Sequence, residues 1–224
     1  HGKIQDVQRV FRAGLLFGLV AGGLMTLFLL FGADWITVHI FNSPNSALPL
    51  KVMAPTILVF SIMGVVRGYF QGLGNMVPTS ISQVIEQVVN AVISVVASFA
   101  FMHWFANRET PAAYGAAGGT LGTLSGALAA FVFLTLLMFL YRKQNAAALR
   151  KPQADRLESW KHVYTALFLT LTPIILSQFV YQLSGSVDNS MFGFLMSEKG
   201  LTEKERLSLL GIYGGKYRLL SNVP

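Results

Sequence analysis

Residues 110–141 read TPAAYGAAGGTLGTLSGALAAFVFLTLLMFLY, 32 consecutive positions without Asp, Glu, Lys or Arg. A helix rises about 1.5 Å per residue and crosses roughly 30 Å of hydrocarbon in about 20 residues, so this stretch alone can span a bilayer. Working outward, residues 13–33, 52–66, 87–107 and 162–187 are also free of those four residue types. Three of these four suffice outright. The shorter one, 52–66, lies between Lys51 and Arg67. It becomes a span if both long side chains snorkel toward headgroups while the helix continues through Tyr69 and Phe70. The reading is an all-α integral membrane protein with five transmembrane helices, and the apolar run 217–224 as the start of a sixth.

The composition agrees. Of 224 residues 53% are hydrophobic and 12% charged, and mean hydropathy is +0.55. A soluble domain carries about 25% charged residues, so much of this surface does not meet water. With no cysteine, a disulfide scaffold, a thiolate metal site and a cysteine nucleophile are excluded. The net charge of +7 does not point to nucleic acid, because the Lys and Arg residues sit in short segments between apolar runs. That arrangement sets membrane orientation. Segments 1–12, 34–51, 67–86, 108–109 and 142–161 carry 3, 1, 1, 1 and 6 basic residues. Residues 1–12, 67–86 and 142–161 are therefore expected to be cytoplasmic, and 34–51 and 107–119 to lie outside. The chain begins with His1 and breaks off in an apolar run, so it is expected to be a fragment.

Gly14, Gly18 and Gly22, and again Gly118, Gly122, Gly126 and Ala130, recur every four residues. Such ridges let helix backbones approach closely, either as static packing or as faces that slide during a conformational cycle. Pro55 and Pro173 fall inside spans and are expected to bend them.

Polar side chains in a bilayer are costly and usually meet a partner or a water-filled cavity. Gln83, Glu86, Gln87 and Asn90 share one helical face. They suit either a cavity lining or a mixture of headgroup-level residues and interhelical hydrogen bonds. A longer stripe runs through Ser177, Gln178, Tyr181, Gln182, Gly185, Asp188 and Asn189, and it is the stronger cavity candidate. His39, His103 and His162 sit near expected interfaces without metal-ligand spacing. No nucleotide loop, metalloprotease histidine pair, nucleophile elbow or diphosphate-binding aspartate cluster is present. The chain does not read as an enzyme.

Residues 67–87 read RGYFQGLGNMVPTSISQVIEQ. This segment resembles the hinge between the fourth and fifth helices of the stage V sporulation protein B and polysaccharide-transport group. That group belongs to the multidrug/oligosaccharidyl-lipid/polysaccharide flippase superfamily, which includes the MurJ-like lipid II flippases. Residues 188–193 (DNSMFG) and 211–219 (GIYGGKYRL), with Pro224, resemble the family's seventh helix and the start of its eighth. The resemblance implies a piece of a two-lobe transporter of about fourteen helices. Residues 1–141 would be helices three to six of the first lobe, 142–161 a basic cytoplasmic linker, and 162–224 the start of the second lobe.

The implied activity is alternating-access flipping of an undecaprenyl-diphosphate-linked saccharide, foremost lipid II, across the bacterial cytoplasmic membrane. The resemblance also admits a capsular or teichoic repeat unit, or cation or drug export. A membrane enzyme acting on isoprenoid phosphates is the alternative of a different class. The implied substrate-binding residues are Arg218, matching an arginine that opens the eighth helix toward the cavity, and Arg67, which equally suits headgroup binding or orientation. With them go Gln83, Glu86, Asn90, Gln178, Gln182 and Asp188 from the two stripes. No cofactor is implied; a monovalent cation or the membrane potential is the expected driving force, and the cell-wall synthesis machinery the expected protein partner.

Overall fold

The computed structural model describes residues 4–40, 43–108, 110–144 and 159–212. Helix α1 (Ile4–His39) is followed by one 3-10 turn (Pro44–Ser46), α2 (Ala47–Gly72), α3 (Val77–Trp104), α4 (Pro111–Gln144), α5 (Trp160–Glu198) and the short α6 (Glu203–Ile212). No strand occurs among the described residues. The five long helices are each apolar and long enough to cross a membrane. The chain is an all-α, multi-pass membrane protein.

Charge-free stretches underestimate these helices. Helix α2 takes both Lys51 and Arg67 into its 26 residues, but Arg67 is accommodated by a largely buried ion pair with Glu86 and not by snorkelling. The segment expected to connect at 67–86 contracts to a turn at 73–76, and the one expected at 107–119 gives way to α4 from Pro111. Charged and polar residues are tolerated at headgroup depth, so a helix does not end where its apolar run ends.

The 73–76 turn follows from its sequence. Gly74 adopts φ +79°, a left-handed conformation open to glycine at little cost. The Gly74 amide donates to the Gln71 carbonyl at 2.9 Å, and the Asn75 amide to Phe70 at 3.0 Å. This pair of bonds is the Schellman closure of a helix. Asn75 Oδ1 then accepts from the Val77 amide at 3.1 Å, and Pro78 sits in the first turn of α3, where its missing N–H is no loss. A full stop and a full start thus occupy six residues.

Contacts divide the chain into two units: His1–Ala33 with Ser46–Thr170, and Asp34–Asn45 with Leu171–Pro224. In the first, Phe11 of α1, Met63, Val66 and Phe70 of α2, and Ala130, Leu134 and Met138 of α4 form a buried cluster. Gly14, Gly18 and Gly22 lie against Val65, Ser61 and Leu58 of the antiparallel α2. Thr26 Oγ1 donates to the Ala54 carbonyl at 3.1 Å across the same pair. Gly118, Gly122 and Gly126 lie against Ala97, Ser94, Asn90 and Glu86 of α3. Both glycine ridges are helix contacts. The other side of α3 exposes Val84, Val88, Val92, Val95 and Phe99, as a lipid-facing helix does.

In the second unit, Trp35 stacks on His39 with ring centroids 5.3 Å apart, and the Ser43 amide closes the end of α1 on the Thr37 carbonyl at 2.8 Å. Glu205 Oε2 accepts from the Thr202 amide at 2.9 Å and from its hydroxyl at 2.8 Å. These bonds hold the exposed Glu205 carboxyl below its ordinary pKa and form a capping box at the start of α6.

The α3–α4 contact makes a prediction. A Cβ at Gly122 would stand 2.5 Å from Ser94 N and 2.7 Å from its Cα, whereas one at Gly119 meets nothing within 4 Å. Gly122→Leu is expected to force the helices apart, costing at least the about 1–3 kcal/mol of an overpacked core, while Gly119→Ala leaves stability unchanged. Thermal unfolding in detergent, followed by size-exclusion chromatography, distinguishes the two.

Candidate functional site

The hinge segment brings charge into the membrane-spanning helices in a paired form. Arg67, near the end of α2, donates from Nη2 to Glu86 Oε2 at 2.8 Å and from Nε to Ser82 Oγ at 2.9 Å. Ser82, fully buried, donates in turn to the Thr79 carbonyl at 2.7 Å. Gln71 Nε2 approaches Thr79 Oγ1 at 3.4 Å. The charged side chains are only 15% and 13% exposed. A single unpaired charge at this depth would be expensive; a guanidinium that engages both Nε and Nη2 is held in orientation as well as neutralised.

The seam continues up α3. Thr79, Ser82, Glu86, Asn90 and Ser94 follow at three- and four-residue spacing, one face of the helix. Ser94 Oγ lies 2.8 Å from Asn90 Oδ1 and 2.8 Å from the Gly119 carbonyl of α4; its one proton serves one acceptor at a time. Thr123 Oγ1 of α4 reaches Asn90 Oδ1 at 3.5 Å. The seam therefore joins α3 to α2 at one end and to α4 along its length.

The expected four-residue face on α3 thus divides. Glu86 and Asn90 are half-buried in the seam, while Gln83 and Gln87 are exposed beside it. Sequence reasoning missed Ser82, Ser94, Thr79 and Thr123. The signal was present, since Ser82 and Ser94 sit four residues before Glu86 and four after Asn90.

On α5, Ser177, Gln178, Tyr181 and Gln182 are all exposed. The Asp188 and Asn189 side chains, and all of Arg218, lie outside the described residues. Pro173 falls inside the helix without ending it. Among the described residues no group of three or more His, Asp or Glu is placed to hold a metal ion.

The family model described as polysaccharide biosynthesis protein matches residues 3–224. The chain belongs to that family. It is thereby a member of the multidrug/oligosaccharidyl-lipid/polysaccharide superfamily to which the hinge sequence pointed. Three relatives from Bacillus subtilis (strain 168) are similar to it. Stage V sporulation protein B is 29% identical over 82% of this chain and 34% of its own length. The lipid II flippase MurJ is 26% identical over 95% of this chain and 40% of its own. The membrane protein YabM is 26% identical over 91% and 37%. The chain thus spans between a third and two fifths of the length of these relatives. No solved structure matches it.

The Arg67–Glu86 pair can be tested as a unit. Arg67→Met or Glu86→Leu alone leaves a largely buried charge without its partner and is expected to cost about 3 kcal/mol or more. The double substitution Arg67→Met with Glu86→Leu is expected to recover most of that loss. A double-mutant cycle on thermal stability in detergent reads the coupling; additive losses would show that the two groups act separately.

Proposed function

We propose that this chain is part of a flippase that carries an undecaprenyl-diphosphate-linked saccharide, foremost lipid II, across the bacterial cytoplasmic membrane. It acts as a transporter and not as an enzyme. The observation that carries this reading is the row of exposed polar side chains on α5, Ser177, Gln178, Tyr181 and Gln182, inside a helix otherwise apolar enough to cross the bilayer. Hydrocarbon gives such groups no partner, so they face water and the polar part of a substrate. The family match and the name of the lipid II flippase among the relatives support the substrate class. The family description itself favours, as the second reading, another undecaprenyl-linked saccharide on the same path.

In this reading residues 1–141 belong to the first lobe, 142–161 link the lobes on the cytoplasmic side, and 162–224 open the second. The lobes rock about the midplane in alternating access. Gln178, Gln182 and Asp188 contact the saccharide headgroup, and Arg218 contacts the diphosphate. On α3, the exposed Gln83 is the contact residue, while Arg67, Glu86 and Asn90 act by fixing α3 against its neighbours. A monovalent cation gradient or the membrane potential drives the cycle, and cell-wall synthesis enzymes supply and consume the substrate.

In cells depleted of their own lipid II flippase, the full-length protein is expected to restore growth and outer-leaflet exposure of lipid II. Arg218→Ala, present at the same level in the membrane, is expected to abolish both. Rescue by Arg218→Ala would remove that residue from the substrate path. Failure of the unsubstituted protein would move the assignment to another lipid-linked saccharide.

Orientation has its own test, made simple by the absence of cysteine from this sequence. With any cysteine elsewhere in the full-length protein replaced, Met76→Cys in the α2–α3 turn is expected to react with a membrane-impermeant maleimide only after cells are opened. Ala106→Cys, in the α3–α4 turn, is expected to react in intact cells. The reverse pattern inverts the topology.

A further inference from the structure

We propose that the end of the first unit where α1 and α5 begin and α4 ends is a binding site for the phosphate of an anionic membrane phospholipid. Phe11, buried on α1, lies 5.0 Å from the Tyr69 ring, and the Arg142 guanidinium at the end of α4 sits 5.5 Å over the Phe11 ring. The Arg9 guanidinium sits 5.4 Å over Trp160 at the start of α5. Two cation–π contacts therefore draw three helix ends together. The Arg142 guanidinium, exposed and held by its flat face, still presents an N–H edge suited to a phosphate oxygen. Arg12, Lys143 and Lys161, beside these rings in sequence, are exposed.

Arg12, Arg142, Lys143 and Lys161 give this end four exposed basic side chains. Basic groups of this kind at the end of a helix bundle attract anionic headgroups, each adding to the binding. The surface leading away from them suits acyl chains. Val10, Leu16 and Leu19 of α1 are exposed, as are Phe168 and Leu169 of α5, and the Phe17 and Phe168 rings meet edge-on at 5.8 Å between the two helices. One lipid can thus place its phosphate among the basic residues and its chains along the α1–α5 surface. This inference uses neither the saccharide assignment nor the sidedness of the helices.

The test titrates the purified full-length protein in detergent with phosphatidylglycerol, and separately with phosphatidylcholine of the same chains, counting retained lipids by native mass spectrometry. Phosphatidylglycerol is expected to be retained preferentially. The triple variant Arg12→Gln, Arg142→Gln, Lys161→Gln is expected to weaken that retention by about tenfold or more and to leave phosphatidylcholine unchanged. Lys161→Gln alone is expected to give a smaller loss in the same direction, which keeps the test usable if the triple variant unfolds. Equal retention of the two lipids, or phosphatidylglycerol retained equally by the single variant and the parent, would overturn the proposal. Displacement of phosphatidylglycerol by an equal concentration of inorganic diphosphate would also overturn it, assigning the basic end to soluble phosphates.

Discussion

Hydrocarbon offers polar groups no water, and the architecture of this chain follows from that one constraint. Backbone groups are satisfied by helices throughout the described spans. Side chains are satisfied across helix pairs: Thr26 on the Ala54 carbonyl, Ser94 on the Gly119 carbonyl, Arg67 on Glu86 and Ser82. Among the described residues of the five spans, Thr56 of α2 is buried with an Oγ1 that has no hydrogen-bond partner. An unsatisfied buried hydroxyl costs on the order of 1–3 kcal/mol. It lies beside Pro55 in the same helix, where the backbone pattern is already interrupted.

The glycine ridges and the polar seam are two consequences of the same constraint. Lipid is as apolar as leucine, so two helices gain little by burying leucine against each other. They gain by close backbone approach, which Gly118, Gly122 and Gly126 permit, and by the hydrogen bonds that close approach makes reachable. Ser94 illustrates the link: it can reach the Gly119 carbonyl because Gly122, one turn on, has no side chain in the way. Of the two readings open to these ridges, this interlocked geometry favours static packing over sliding faces within the α3–α4 pair.

The helices were legible in the sequence because their signal is length and apolarity, which no tertiary contact overrides in a bilayer. The glycine ridges were legible for the same reason, as a spacing fixed by helix geometry. The Arg67–Glu86 pair was not, although both residues stood out singly. Their contact depends on where the chain reverses, and the reversal is set by Gly74 and Asn75 through conformation, not hydropathy. Once the turn is placed at 73–76, Arg67 and Ser82 each fall six residues from it, with Glu86 one helical turn beyond Ser82, and Gln71 and Thr79 fall two and three residues from it. A pairing could have been read from that symmetry. Gln83 and Gln87 lie on the same helical stripe as Glu86 and Asn90, yet packing against α2 and α4 claims one edge of the stripe and leaves the other exposed. A helical wheel cannot draw that line, since it depends on the angle at which neighbours approach.

The contrast between α3 and α5 is what the proposed function rests on. On α3 the polar residues are mostly consumed by neighbours: Glu86 by an arginine, Asn90 by two hydroxyls. On α5, Gln178, Tyr181 and Gln182 stay exposed beside equally exposed Phe179, Val180 and Leu183, so this helix presents two chemically opposite faces. An apolar face is covered by lipid at no cost, but a row of amides and a phenol is not. In the proposed reading, that row borders water along a path enclosed by protein. The same reasoning explains why the hinge motif, the most distinctive part of the sequence, consists largely of structural residues. Its glycine, asparagine, proline and ion pair build a close-set corner between α2 and α3, and in the proposed alternating-access reading such a corner carries motion at one face of a lobe to the other.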